Sequence, residues 1–221
     1  MKGLDTAGIN KVVSILKKEI PKWKVPAVGV IANESRDPFL VLISTLISLR
    51  TKDRVTMEAS NRLFALATTP DKMIGLTAVQ IEKAIYPAGF YKTKARSILE
   101  ICRNLIDRFH GRVPDTMDEL LSLKGVGRKT ANLVLTLGHD KDGICVDIHV
   151  HRISNRLGFI KTTKPDESET VLRKKLPRRH WKIYNDLLVT FGQNICKPVS
   201  PLCSQCNLKQ LCRRKGVLKS R

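Results

Sequence analysis

Apolar residues return at every third and fourth position along most of this chain, and that spacing leaves little choice of architecture. Ala95, Ile98, Leu99, Cys102, Leu105, Ile106 and Phe109 fall on one face of a segment wound at 3.6 residues per turn. Tyr184, Leu187, Leu188, Phe191 and Ile195 repeat the pattern. Period-two alternation of any length is missing, and the candidate strands are scraps such as Val28–Ala32. The expected fold class is therefore all-α. Helix signals come close together: a capping box at Thr77 and Gln80, Asp115 and Asp118 just after Pro114, and Pro165 followed by Asp166 and Glu167. They divide the chain into roughly ten helices joined by brief loops. No Gly/Ser linker and no repeat interrupts the 221 residues, which suffice for one large domain or two closely packed small ones.

Forty Lys and Arg stand against 20 Asp and Glu, a net charge of +20 that points to a polyanionic partner. An aromatic content of 5% disfavours a protein that stacks single-stranded bases, leaving duplex as the better match. The longest apolar stretch, Phe39–Ile47, is well short of the roughly 20 residues a membrane-spanning helix needs. The N-terminus is amphipathic and lacks a secretory cleavage pattern, so the expected location is intracellular, with no membrane partner. In a reducing compartment six cysteines are not a disulfide framework. Cys102 and Cys145 suit core positions. The final segment, Arg213–Arg221, has five basic residues and no acid, and reads by default as a disordered tail.

Two local patterns carry chemistry. Gly125-Val126-Gly127 lies between an apolar helix end and a new helix near Arg128. Such a turn lets a phosphate approach backbone amides at the positive end of a helix, and Lys124, Arg128 and Lys129 add charge beside it. Downstream, Asp147 opens another helix, where an acid is an N-cap, a catalytic carboxylate, or both. His149 and His151 read as packing or phosphate contacts, because a two-residue spacing puts them on different helix faces. The second pattern is Cys196, Cys203, Cys206 and Cys212, spaced C-x6-C-x2-C-x5-C. Four thiolates this close hold one zinc ion or one iron–sulfur cluster; their number alone does not separate the two, and zinc is the commoner.

Taken together, LKGVGRKTANLVL and VDIHVHRISNRL resemble the endonuclease III branch of the helix-hairpin-helix DNA glycosylases, over nearly the whole chain from about Pro38 to Cys212. The resemblance implies a base excision repair glycosylase with AP lyase activity, acting on oxidised pyrimidines in duplex DNA. Lys129 would attack the sugar C1′ to form a Schiff base, and Asp147 would offset the positive charge that develops as the base departs. The imine then acidifies the C2′ proton and the 3′ phosphate leaves by β-elimination. An amine is nucleophilic only when unprotonated, and cationic neighbours such as Arg128 disfavour the ammonium form. By the same resemblance the four cysteines hold a [4Fe–4S] cluster, Gly125, Val126, Gly127 and Arg128 face the DNA backbone, and His149 lies near it. Phe90 corresponds to the family's apolar wedge. Arg50 stands where the family has a glutamine directed at the opposite strand, and Lys124 where many members have proline.

The implied architecture is two helical domains flanking a DNA-binding cleft. A six-helix barrel would span 29–139, and a discontinuous domain, 1–28 with 140–221, would carry the cluster loop. The expected partner is double-stranded DNA with damaged bases or abasic sites, met by a monomer in a prokaryotic cytoplasm, in association with the nucleoid. Two alternatives remain at this level. A monofunctional mismatch glycosylase for thymine, uracil or adenine is disfavoured by the amine at position 129. A noncatalytic helix-hairpin-helix DNA-binding protein would form no covalent intermediate.

Overall fold

The computed structural model describes residues 4–23 and 26–221, so positions 1–3, 24 and 25 of the expected 1–28 segment lie outside the described residues. Among the described residues all regular structure is helical. In chain order the helices are α1 (Thr6–Glu19), α2 (Ala27–Ser35), α3 (Pro38–Ser48), α4 (Asp53–Leu66), α5 (Pro70–Ile74) and α6 (Ala78–Ile85). There follow α7 (Tyr91–Phe109), α8 (Met117–Ser122), α9 (Arg128–Leu133), α10 (Ile148–Leu157), α11 (Pro165–Lys175) and α12 (Trp181–Asn194). They form two compact units: Ala27–Gly143, and the described residues up to Pro26 together with Ile144–Arg221.

In the first unit α3 is apolar almost all round, and Phe39, Val41, Leu42, Ile43, Leu46 and Ile47 are all buried, as befits a central helix. Helices α2, α4, α7 and α9 pack against it. The face of α7 read from its spacing is the buried one, with Ala95, Ile98, Leu99, Cys102 and Leu105 inside. Helix α6 begins with the capping box of Thr77 and Gln80. Helix α8 is capped by Thr116, whose hydroxyl accepts the Glu119 amide at 3.4 Å. Asp118 falls in its first turn, while Asp115 lies outside the helix and pairs with Lys141 at 2.7 Å. Val28–Ala32, a candidate strand by its β-branched residues, lies within α2. Val28, Ile31 and Ala32 are buried, and packing on α3 outweighs the residues' intrinsic preference.

The second unit has its own core. Ile9, Val12, Val13 and Leu16 of α1 are buried, as are Tyr184, Leu187, Leu188 and Phe191 of α12. Ile195, the last residue of the periodic pattern, sits just past the end of α12. The Tyr184 hydroxyl, fully buried, is 3.0 Å from Ser154 Oγ. Helix α11 starts at Pro165 with Asp166 and Glu167 in its first turn and ends on Arg173, Lys174 and Lys175, charges that complement its dipole at both ends.

Within the same unit, burial pushes the Asp186 carboxyl up from about 3.8 to about 6. Because the native value exceeds the unfolded one, the contribution to stability is complete below about pH 4 and is lost as pH rises through about 6. Asp186→Asn is therefore expected to stabilise the protein at pH 7.5 by on the order of 1 kcal/mol, after discounting for partial exposure. Thermal melts at pH 4 and 7.5 check this: the gain should appear at the higher pH and vanish at the lower.

The C-terminal segment departs from the expected disordered tail. Lys215 N donates to Arg156 O at 3.2 Å, Arg221 N to Pro201 O at 2.9 Å, and Ser204 N to Arg221 O at 2.9 Å. Backbone pairing ties Lys215 to α10 and Arg221 to the cysteine loop, and the charge run alone carries no sign of those non-local bonds.

Candidate active site and cysteine loop

The hairpin of the first unit is built by its glycines in two different ways. Gly125 has φ +90°, a conformation that side chains avoid. Gly127 is extended, with φ −94° and ψ 174°, and α9 starts from it with no side-chain cap. A Cβ added to either glycine would meet nothing within 4 Å. The fold therefore needs glycine at 125 for its dihedral, whereas at 127 it merely leaves the face open to an approaching group. Val126 is buried beneath the turn, Arg128 and Lys124 are exposed, and Lys129 is half-buried on the first turn of α9. Lys124 pairs with Glu100 at 3.2 Å, a solvent-exposed bridge that a phosphate can displace at little cost. After Leu133 the helix widens into a π-turn, Val134–Gly138, stabilised by the Thr136 hydroxyl donating to Asn132 O at 2.7 Å.

Elsewhere in this unit the structure brings Arg50 and Phe90 together. Both are exposed, both adopt left-handed backbone (φ 53° and 58°), and the Arg50 guanidinium lies 5.3 Å from the centre of the Phe90 ring. Backbone and side chains fix the two loops to each other. Gly89 N donates to Thr51 Oγ1 at 3.1 Å, and a Cβ on Gly89 would collide with Arg50 O. Lys94, only 9% exposed, donates from Nζ to Ile47 O and Leu49 O at 2.6 Å each and to Thr51 Oγ1 at 2.9 Å. Its signal in the sequence is a lysine one turn before Ile98, on the apolar face of α7.

In the second unit Asp147 caps α10. Its Oδ1 accepts the amides of His149 at 2.8 Å and Val150 at 2.9 Å, and the side chain is 8% exposed. His149 Nδ1 lies 3.1 Å from Arg152 Nη2, close enough to Gly192 that a Cβ there would strike the ring. His151 Nδ1 is 2.7 Å from Ser168 Oγ. Both histidines are thus engaged within their own unit.

The four C-terminal cysteines line one small pocket, walled by Ile153, Leu157, Phe191, Ile195 and Leu208. Burial raises the Cys206 thiol to about 11 and also raises Cys212. Two arginines missed from the sequence anchor this loop. Arg152 Nη2 donates to Cys196 O at 3.0 Å, and the buried Arg156 donates to Lys197 O and Pro198 O at 2.7 Å each. Arg156 Nη1 also reaches Cys196 Sγ at 3.5 Å, and the Cys212 thiol donates to Arg156 O at 3.6 Å. Each arginine lies next to an apolar position of α10, where a charge must find acceptors; that placement is the signal available beforehand. Cys102 and Cys145 are core residues, as expected, and burial pushes the Cys102 thiol up to about 12.

Known proteins match both the sequence and these units. The profile described as HhH-GPD superfamily base excision DNA repair protein matches residues 43–178. The chain belongs to that superfamily. Endonuclease III of Thermotoga maritima is 48% identical over 187 residues, 83% of this chain and 88% of the relative. The chloroplastic Endonuclease III homolog 1 of Arabidopsis thaliana is 42% identical over 183 residues, and there the match spans 79% of this chain and 48% of the plant protein. A trapped covalent intermediate of an endonuclease III with DNA superposes with a TM-score of 0.84 at 36% identity, covering 96% of this chain and 97% of that one. A thermostable thymine-DNA glycosylase shares the fold at 22% identity, with a TM-score of 0.72 over 91% of this chain and 96% of its own. As an endonuclease III-type member of the HhH-GPD superfamily, the chain is a base excision repair DNA glycosylase and lyase.

Proposed function

We propose that this glycosylase and lyase removes oxidised pyrimidines from duplex DNA through a Schiff base on Lys129, with Asp147 offsetting the oxocarbenium-like charge on the sugar. The observation that carries the reading is the lysine on the first turn of α9, directly after a glycine turn whose outer face is open. A phosphate seated at Gly125–Arg128 would place the sugar chemistry beside an amine, and an amine nucleophile brings the lyase step with it. Arg128, Lys124 and His149 are the polar contacts proposed for the DNA backbone, and Phe90 and Arg50 are proposed to enter the duplex, one filling the vacated stack and the other facing the opposite strand. The enzyme is proposed to act as a monomer in a prokaryotic cytoplasm, associated with the nucleoid. Among the described residues no helix is long and apolar enough to cross a membrane.

The test is single-turnover excision and nicking on duplexes bearing thymine glycol, dihydrouracil, uracil, G·T, A opposite 8-oxoguanine, and an abasic site. Excision of the two oxidised pyrimidines with nicking supports the proposal. Action on the mismatched substrates alone overturns it in favour of a mismatch glycosylase.

We also propose that Cys196, Cys203, Cys206 and Cys212 hold a [4Fe–4S] cluster. A zinc ion with four thiolates draws the sulfurs to about 2.3 Å from one centre. Among the described residues no three His, Cys, Asp or Glu side chains are placed to hold a metal ion, although the four cysteines share one apolar-walled pocket. Four thiolates are the ligand set of a cubane cluster as well as of zinc, and the family likeness selects the cluster. When bound, the cluster supplies a rigid crosslink for the loop, and its binding displaces the thiol protons that burial favours. The residues of the chain do the rest: Arg152 and Arg156 fix the backbone on which Cys196 sits. Arg156→Met leaves the Lys197 and Pro198 carbonyls without their charged donor and is expected to cost roughly 3 kcal/mol. Absorbance near 400 nm per chain and the melting temperature should fall together; full absorbance with an unchanged melt would contradict the anchoring role.

A further inference from the structure

We propose that Lys94 is a positioning residue for recognition of the duplex: its buried ammonium ties the loop that carries Arg50 to the loop that carries Phe90, so the two side chains enter DNA at one fixed spacing. The proposal rests on the reading, given above, that Phe90 and Arg50 both contact the duplex.

Three sets of bonds converge on this point. Lys94 lies on the first turn of α7, and its amide donates to the Phe90 carbonyl at 3.0 Å, fixing the backbone of the wedge residue. From the same residue Nζ reaches across to three oxygens of the α3–α4 connection, on Ile47, Leu49 and Thr51, which flank Arg50 on both sides. The Thr51 hydroxyl is the shared node. It accepts from Lys94 Nζ and Gly89 N and donates to Leu49 O at 3.3 Å. Burial alone pushes the ammonium down to about 8, and three acceptors are what a buried cation requires to stay in place. Arg50 and Phe90 both hold left-handed backbone, a conformation that persists in non-glycine residues only where the surroundings impose it. The closeness of Arg50 O to Gly89 leaves neither loop room to slide past the other.

A residue that only supported the fold would lower every activity alike. One that sets the spacing of two DNA-entering side chains acts only while those side chains are present. The test is a cycle of variants measured by single-turnover excision of thymine glycol opposite A and opposite G, with melts to confirm folding. Lys94→Met in the wild-type background is expected to slow excision roughly tenfold and to change the ratio between the two opposite bases. In the Arg50→Ala/Phe90→Ala background the same substitution is expected to change the rate by less than about twofold, the signature of coupled residues. Thr51→Val, which removes the shared node and leaves the two carbonyls, should shift the opposite-base ratio in the same direction by roughly threefold, and it decides the matter should Lys94→Met fail to fold. Equal losses from Lys94→Met in both backgrounds, or an opposite-base ratio untouched by Thr51→Val, would overturn the proposal while leaving the duplex reading intact. Wild-type rates from the Arg50→Ala/Phe90→Ala variant would instead remove the duplex reading, and the proposal with it.

Discussion

Replacing Lys129 by alanine is expected to lower nicking of abasic duplex by roughly a thousandfold or more, about 4 kcal/mol of transition-state free energy. Lys129 is half-buried on a six-residue helix that follows an open glycine turn, and nothing in that placement makes it a core residue. Truncation should therefore leave the fold intact, with a melting temperature close to wild type, while the step that needs an amine disappears. β-Elimination depends on the imine: only a protonated imine at C1′ makes the C2′ proton acidic enough to remove. A substrate with a damaged base still attached should show the same loss of nicking. A gel-based nicking assay beside a thermal melt distinguishes a missing nucleophile from a disturbed hairpin, because the second would lower both.

The second large effect is expected at Asp147, and there the choice of substitution decides what is learned. The carboxylate caps α10 through one oxygen, Oδ1, which accepts two amides. Asparagine keeps an oxygen at that position and can keep both bonds, so Asp147→Asn removes the negative charge and preserves the cap. Base excision is expected to fall by about 10²- to 10⁴-fold, with little change in stability. Alanine removes the charge and the cap together and should add a stability loss of about 1 kcal/mol. If Asn excises at the wild-type rate and only Ala is impaired, Asp147 is a cap and nothing more. Excision followed with alkaline workup, in parallel with melts, gives both quantities from the same variants.

What the sequence revealed divides along the range of the interactions. The buried face of α7, the Thr77 capping box and the Pro165 start of α11 depend on residues within one or two turns of each other, and all three appear where the pattern placed them. Val28–Ala32 did not, because those β-branched residues are consistent with strand or helix until α3 is there to pack against. The Arg213–Arg221 segment misled for the same reason: its bonds run to Pro201, Ser204 and Arg156, positions that a charge count cannot see. At the site, the glycine turn and the cysteine spacing were visible as motifs, and the pocket shared by the four cysteines follows from them. Arg156, Lys94 and Thr51 were not, since each is tied to a hydrogen-bond partner about 40 or more residues away. Arg156 and Lys94 nevertheless left a trace, a cation set on or beside the apolar face of a helix, and such a cation must either reach solvent or find oxygens. In both units it found oxygens, and those bonds hold the loops proposed to meet DNA and metal.

Departure from the family pattern at Arg50 has a counterpart in the structure. The guanidinium lies over the Phe90 ring and is not turned away from it, so Arg50 and the proposed wedge form one exposed pair. Lys124, the other departure, adds a charge at the mouth of the hairpin and a surface bridge to Glu100, without entering the turn itself.

The covalent intermediate is the direct measure of the central claim. Purified protein is mixed with abasic duplex, reduced with borohydride, digested, and the adduct located by mass spectrometry. A stable protein–DNA crosslink is expected on the peptide containing Lys129, absent from the Lys129→Ala variant. No crosslink, or one mapped to a different amine and retained by that variant, would contradict that claim.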